Sequence, residues 1–245
     1  MNPVNRRPPR YVEGMTAAGS SVQDVIARLR RIDAELPPGD GAAVFNRMYL
    51  TVTEAVAAGL SRGTVFTDPA FMEQLDVTFA SLWLEAYDAD ARKTNGVPRA
   101  WAALFERRHD RSVLPVQFAL AGMNSHIGHD LAVAVVTTCS QRDSAPASWG
   151  VRDDYEAVNQ LLAASESEVR RSFLSEAGRE LDAHVGPVVH LVSSWKIDKA
   201  RDVAWVNVEA MWAIRHLGTL AGRYRAALAR TVGMGSRLLL TPQLP

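Results

Sequence analysis

The sequence contains a single cysteine, Cys139, so no disulfide can form within the chain. Disulfides are rare in reducing compartments, which favours an intracellular protein. Residues 1–10 include two adjacent arginines but lack the apolar stretch that follows them in a secretory signal. These absences predict a cytoplasmic location.

Long hydrophobic runs and an excess of one charge are also missing. A membrane-spanning helix needs about 20 apolar residues, whereas the most apolar run extends only from Leu131 to Thr138. Basic and acidic residues number 27 each, so the formal net charge is zero. Nucleic-acid-binding proteins typically gather a basic excess on one face. We therefore expect no membrane span and no nucleic-acid partner, while the oligomeric state stays open.

The motifs of several common enzyme classes are absent. The sequence has no Gly-x-Gly-x-x-Gly, no phosphate-binding loop and no Gly-x-Ser-x-Gly. It also lacks His-Glu-x-x-His and any cysteine-based zinc pattern, and its single Glu-x-x-His, Glu106 to His109, lies in a charged stretch. Cys139 ends an apolar helical segment and is predicted to be a packed thiol rather than a nucleophile.

Helical periodicity is what the sequence has in abundance. Apolar residues recur at spacings of three and four along most of the chain, the pattern of amphipathic helices. Ser21 followed by Asp24, and Asp68 followed by Pro69, are typical helix starts. Alternating patterns that would indicate strands are absent. The periodicity therefore predicts an all-α protein.

The same patterns define the expected domain. Residues 1–19 are predicted to be an irregular N-terminal arm, and residues 233–245 an irregular C-terminal tail. Between them, residues 20–232 are predicted to form a single-domain bundle of about eight helices. The nearly continuous apolar segment from Pro115 to Thr138 is predicted to be its central buried helix. Another long helical pattern runs from Asp198 to about Arg230.

The predicted central helix carries an unusual polar block. Residues 121–131 read AGMNSHIGHDL, so five polar residues and two glycines interrupt an otherwise apolar helix. A glycine inside a helix costs about 1 kcal/mol relative to alanine and is often kept where another group must come close. Buried polar groups need partners. We therefore expect this block to face other polar groups or a wet cavity.

Three residues are the candidates for catalysis. His126 and Asp130 are four residues apart and share a helix face, and a carboxylate beside a histidine tunes its pKa and tautomer. Asp76 is a carboxylate within an otherwise apolar helical stripe. We predict His126, Asp130 and Asp76 as catalytic residues. The predicted substrate-binding residues are Asn124, Arg47, Tyr49, Trp83, Arg201 and Trp205.

Three interpretations of the polar block remain open. It is a buried structural network that fixes helix register, an acid–base or substrate-orienting site, or a metal site. For a metal, one helix offers two or three ligands, and acidic residues elsewhere would complete the shell. We predict no cofactor other than this metal, and we assign no residue as a metal ligand.

Three segments resemble the uncharacterised domain-of-unknown-function family 5995, found mostly in actinobacteria. They are residues 40–50, 68–80 and 121–131, and the third is the most distinctive. The resemblance implies that Asn124, His126 and Asp130 occupy recurring positions, whereas His129 is a departure from the pattern. It implies no activity, but the position of some members near specialised-metabolite genes implies a small apolar substrate.

The residues and the resemblance together favour a small-molecule enzyme with a cavity beside the central helix. We expect a cofactor-free cyclisation or isomerisation in specialised metabolism, with His126 as the acid–base or orienting group. The alternatives are a non-catalytic binding or scaffold protein with a structural polar network, and a metal-dependent enzyme with histidine and aspartate ligands.

Overall fold

A computed structural model describes residues 21–162 and 196–242. The predicted arm, residues 1–19, lies outside the described residues. So do the helix that the sequence pattern predicts from Ser167 to about Leu181 and the segment predicted from Pro187 to Trp195.

The described residues form helices joined by turns and loops, and neither described range contains a strand. The helices are α1 (Val22–Glu35), α2 (Gly41–Arg62), α3 (Pro69–Ala91), α4 (Arg99–Arg107), α5 (Pro115–Ser125), α6 (Leu131–Gln141), α7 (residues 151–162), α8 (Ile197–Ala213) and α9 (Gly218–Leu239). One π-helical turn, His126–Asp130, joins α5 to α6. The all-α prediction is confirmed.

The predicted helix starts are also confirmed. The Ser21 side chain accepts a hydrogen bond from the Asp24 backbone, and the Asp24 carboxylate accepts one from the Ser21 backbone in return. At α3, Asp68 accepts from the backbone N–H of Phe71, and Pro69 occupies the first turn. Such caps satisfy N–H groups that the first helical turn leaves without a partner.

The run from α5 through the π turn to α6 is the centre of the bundle. It packs against α2, α3, α4, α8 and α9, as a central buried helix must. Gly122 permits one of these contacts, because a Cβ there would overlap the Phe45 side chain of α2. The sequence pattern predicts one uninterrupted helix, however, whereas the structure widens it by a π turn at the polar block.

The C-terminal helical pattern differs from its prediction. The sequence pattern indicates one helix from Asp198 to about Arg230, but the chain forms α8 and α9 with a turn at Leu217 between them. Leu217 leaves the helical conformation, with ψ at 50°. Each helix has a buried apolar face of its own, which includes Trp205 and Val208 in α8 and Ala229 and Val232 in α9, so the apolar periodicity continues across the turn and conceals it.

The C-terminal end of the bundle also differs from the prediction of a tail from residue 233. Helix α9 continues to Leu239. Gly233 does not end this helix; it allows α9 to lie against α4, because a Cβ would overlap the Arg99 carbonyl oxygen. No helix in the described parts of the chain combines the length and the apolar character that crossing a membrane requires.

Two large clusters of buried apolar side chains form most of the interior of the described bundle, and Val116 and Leu120 form a small third one. The first lies mainly among α1, α2, α3 and α4 and includes Leu29, Phe45 and Trp101. The second lies mainly among α3, α6, α7 and α8 and includes Leu75 and Val208. The π turn lies where the two clusters meet, and so does the candidate site.

Candidate active site

His126 and Asp130 form a buried hydrogen-bonded pair across the π turn. The Nδ1 atom of His126 lies 3.0 Å from Oδ2 of Asp130. Only 2 % of His126 and 1 % of Asp130 is exposed, so water does not compete for this contact. A π turn is rare in a helix and, where one occurs, it frequently lies at a functional site. Here it carries both members of the pair at its two ends.

Asp130 collects hydrogen bonds from two further side chains. The indole Nε1–H of Trp101 donates to Oδ2 at 2.8 Å, and Nδ1 of His129 contacts Oδ1 at 2.7 Å. Burial alone would raise the pKa of Asp130, but the hydrogen bonds from His126 and His129 hold that pKa below its ordinary value. Asp130 is therefore an ionised acceptor.

The charge of Asp130 determines the tautomer of His126. Burial lowers the pKa of His126, against the opposing effect of Asp130, and keeps the imidazole neutral. An ionised carboxylate can only accept hydrogen bonds, so Nδ1 must carry the ring proton. Nε2 is then left with a free lone pair. This is the arrangement of a general base whose orientation is fixed by a carboxylate.

Aromatic rings hold the imidazole of His126 in place. Phe79 stacks on it with ring centroids 3.6 Å apart and an interplanar angle of 8°. Tyr49 meets it edge-on with centroids 4.5 Å apart, and Phe45 does so at 5.8 Å. The ring is thus restricted in both position and tilt.

His126 lines a cavity of about 80 Å³ at the junction of the two core clusters. One water molecule needs about 10–15 Å³ on the same measure, so the space exceeds that of several waters. Most of the lining is apolar. The lining residues are Phe45, Met48, Tyr49, Val52, Val56, Met72, Leu75, Asp76, Phe79, Met123, His126, Ile127, Leu131, Tyr155, Val158, Leu162, Ile197 and Arg201.

Three buried polar atoms of this lining have no hydrogen-bond partner within the described residues. They are Nε2 of His126, Oδ2 of Asp76 and the hydroxyl oxygen of Tyr49. An unsatisfied buried polar group costs about 1–3 kcal/mol, so three at one cavity are a costly arrangement. Each such exception in a native protein needs an explanation, and a catalytic role is one.

The low polarity around Asp76 and Tyr49 favours the protonated form of each. Burial, assisted by the nearby charge of Glu73, raises the pKa of Asp76 to about 7. Burial also raises the pKa of Tyr49 well above its ordinary value, with a smaller contribution from Asp76. Near neutral pH, Asp76 can therefore give or take a proton, and Tyr49 remains a hydroxyl donor.

Arg201 contributes a positive charge to the same lining. Its Nε donates to Oδ1 of Asn159 at 2.6 Å, its Nη2 donates to the Tyr155 backbone carbonyl, and its guanidinium lies 4.1 Å from the centroid of the Tyr155 ring. Burial lowers the pKa of Arg201, yet arginine keeps its charge in proteins. Arg201 forms no ion pair with a carboxylate of the described chain.

The structure thus brings together His126, Asp130, Asp76, Tyr49 and Arg201, which the sequence pattern singles out on four separate helical segments. Asp76 lines the cavity with His126 but is not hydrogen-bonded to it within the described residues.

The other predicted site residues lie outside the cavity lining. Asn124 donates to the Val232 carbonyl and to the Ser236 hydroxyl, both at 3.0 Å, and so joins α5 to α9. Trp83 lies in the first core cluster, and its indole N–H donates to Asn46.

Arg47 and Trp205 are likewise used elsewhere. Arg47 is partly exposed and donates to the Pro38 carbonyl. Trp205 packs against Tyr155 and donates to Glu209 at 3.0 Å. None of these four side chains is part of the site proposed below.

A metal site has no arranged ligand set in the described part of the chain. No group of three or more histidine, cysteine, aspartate or glutamate side chains is positioned there to hold a metal ion. The Nδ1 atoms of His126 and His129 are both engaged by Asp130.

Two contributors to the site escape sequence reasoning. Trp101 fits the apolar periodicity of its helix, and that pattern does not indicate its hydrogen bond to Asp130. Phe79 fits the apolar periodicity of α3, and that pattern does not indicate that it stacks on His126. A buried indole N–H needs a hydrogen-bond partner, and this need could have indicated that Trp101 bonds to a polar group. No comparable signal exists for Phe79.

The fold and site define an all-α protein with a buried, carboxylate-oriented histidine beside an apolar cavity. The chain belongs to DUF5995, described as a family of unknown function, whose model matches residues 22–242. This bears out the family resemblance of the three sequence segments. Neither the curated proteins nor the solved structures include a match to this chain.

Proposed function

We propose that this protein is an enzyme that transfers a proton within a small, largely apolar substrate, as in a cofactor-free isomerisation or cyclisation. The observation that carries the proposal is the convergence of three unpaired polar atoms, from His126, Asp76 and Tyr49, on one apolar cavity. A buried site of this kind is where displaced pKa values become useful for acid–base chemistry.

The roles follow from the protonation states. Nε2 of His126 takes a proton from a substrate carbon, and the imidazolium that forms is stabilised by the ionised Asp130. Protonated Asp76 gives its proton to a second substrate position, so the substrate gains and loses one proton in the cycle. After product release, the imidazolium of His126 gives its proton to solvent and the Asp76 carboxylate takes one back, which restores both groups for the next turnover. The Tyr49 hydroxyl donates a hydrogen bond to the negative charge that develops on the substrate. Asp130 acts through His126 and is a positioning residue.

The principal alternative is a non-catalytic protein in which the polar block is structural. The contacts of Asp130 with Trp101, His129 and His126 favour this role for Asp130 itself. They do not account for the three polar atoms left without partners at the cavity. A purely structural network would be expected to pair them, because doing so lowers the cost of burial.

The test is turnover in heavy water. Wild-type protein and His126→Gln are incubated in D₂O with a small-molecule extract of cells that contain the gene, and the products are resolved by chromatography and mass spectrometry. We expect the wild type to convert at least one compound into an isomer that has gained deuterium. Because general-base catalysis contributes about 10²–10⁴-fold, His126→Gln should lower that rate by about 100-fold or more.

His129→Gln is the matched control. It removes a second buried imidazole from the same carboxylate, but His129 does not line the cavity. We expect a much smaller loss of rate than for His126→Gln. Full activity of His126→Gln, or the absence of any wild-type turnover across the extract, would refute the proposal and leave the structural interpretation.

A further inference from the structure

Arg201 is a buried cation that the rest of the site does not use. It is 5 % exposed and lines the cavity together with His126 and Asp76. Two of its three nitrogens have protein partners: Nε contacts Asn159, and Nη2 contacts the backbone carbonyl of Tyr155. Nη1 has no hydrogen-bond partner among the described residues.

A role in joining helices does not explain the charge. Arg201 does connect α8 to α7, and the Tyr155 hydroxyl donates to the Arg201 carbonyl at 2.7 Å. Both acceptors of the guanidinium are neutral, however: an amide oxygen and a backbone carbonyl. Burying a cation against neutral acceptors is unfavourable unless an anion joins it. Because Arg201 lines the cavity, an anion bound there would supply the missing partner.

We propose that the cavity binds an apolar molecule bearing one carboxylate, which accepts a hydrogen bond from Nη1 of Arg201. This names the substrate class for the proposed function and rests on it. The apolar chain occupies the space lined by residues such as Val56, Met72 and Leu75. The carboxylate lies at the α7–α8 side, and the reacting part of the molecule lies near His126.

A carboxylate fits this position better than a phosphate. Phosphate dianions are typically bound by several donors or by a bidentate guanidinium, but Nε and Nη2 are already engaged here. The neighbouring cation, Arg152, is directed elsewhere, since it contacts Glu156 and lies over the Trp205 ring. The guanidinium carries one positive charge, and Nη1 is its only nitrogen without a partner among the described residues, which matches a monoanion.

The test is a binding measurement that needs no turnover. The full-length protein is titrated calorimetrically with straight-chain carboxylates from butanoate to dodecanoate and with primary alcohols of the same lengths. We expect the best carboxylate to bind about tenfold tighter, or more, than its matched alcohol, since a charge-assisted hydrogen bond is stronger than a neutral one. Arg201→Gln should abolish that preference and leave alcohol binding unchanged.

A second variant separates this inference from the proposed function. His126→Gln should keep the preference for the carboxylate, because the base is not the anion-binding group. If His126→Gln keeps full turnover, the proposed function fails while carboxylate binding by Arg201 stands. Equal binding of acids and alcohols by the wild type, or a preference that survives in Arg201→Gln, would overturn the inference. So would tighter binding of octyl phosphate than of octanoate.

A measurement on the wild type covers the case in which Arg201→Gln does not fold. The carboxyl resonance of bound [1-¹³C]octanoate is followed by NMR against pH. Contact with Arg201 should lower the pKa of the bound acid relative to the free acid, since a nearby cation favours the ionised form. A raised pKa would mean that the carboxyl lies in apolar surroundings and would overturn the inference.

Discussion

At the scale of single residues, Asp76 is the most informative titrating group. It is nearly fully buried, its Oδ2 has no partner among the described residues, and its pKa is raised from 3.8 to about 7. A carboxyl whose pKa is higher in the folded state binds protons more strongly there. Its stabilising contribution is therefore complete below pH 3.8 and is lost as the pH rises through about 7.

Replacing Asp76 with asparagine should remove this pH dependence. The unfolding free energy of Asp76→Asn minus that of the wild type should increase by roughly 2–3 kcal/mol from pH 5 to pH 8. The reason is that the wild type loses stability as its carboxyl ionises, whereas the variant has no carboxyl to ionise. Urea unfolding at the two pH values measures the change. His126, which titrates in the opposite sense, is present in both proteins and cancels in the comparison. A difference that stays constant with pH would mean that Asp76 is solvated.

At the scale of helices, small residues decide which elements touch. Helix α9 contains two glycines with opposite surroundings: Gly233 lies against the backbone of α4, and Gly222 has no neighbouring atom where a Cβ would be. The helical cost of glycine is the same at both positions. The two positions differ in their contact with the start of α4, at Arg99 and Ala100, so the pair separates the effect of packing from that of helix propensity.

Alanine substitutions at Gly222 and Gly233 should therefore change the stability of the protein in opposite directions. Gly222→Ala should stabilise the protein by about 0.4–1 kcal/mol through helix propensity. Gly233→Ala should destabilise it by about 1–3 kcal/mol, because α9 must move away from a backbone that cannot yield. Denaturant unfolding measures both. Stabilisation by Gly233→Ala would contradict the close packing of α9 on α4.

The sequence predicted the helices better than their interruptions. Caps such as Ser21 and Asp68 act through neighbours three residues away, so local pattern suffices to locate them. The turn at Leu217 and the helical extension past Gly233 depend on packing between distant segments, which periodicity does not record. The sequence does not reveal the π turn either, because residues four apart, such as His126 and Asp130, share a face in both an α-helix and a π-helix.

The candidate site likewise contains features that the local sequence predicts and features that only the fold reveals. His126 and Asp130 are close in sequence, so their pairing could be inferred from helical geometry alone. Asp76, Tyr49 and Arg201 could be selected as polar or charged residues on apolar faces, but only the fold brings them to one cavity. The same reasoning predicts Asn124 as a binding residue, but Asn124 instead joins two helices, because a helix backbone carbonyl satisfies a buried amide equally well.

At the scale of the whole molecule, the cavity is a gap between two separately packed cores. Phe45 and Met48 on one side belong to the first core cluster, and Leu75 and Val158 on the other belong to the second. Protein interiors are otherwise close-packed, and unfilled volume lowers stability. A protein that keeps such a gap for a ligand gives up stability for function.

A larger side chain in the gap should therefore raise the stability of the protein and weaken ligand binding. Val56→Leu adds one methylene to a side chain that lines the cavity, and it should raise the unfolding free energy by about 0.8 kcal/mol while weakening binding of octanoate. Val135→Leu is the matched control, since Val135 is fully buried in the second cluster and does not line the cavity. Overpacking there should cost about 1–3 kcal/mol. Urea unfolding and calorimetry measure both properties, and equal destabilisation by the two substitutions would mean that the space beside His126 is already filled by side chains.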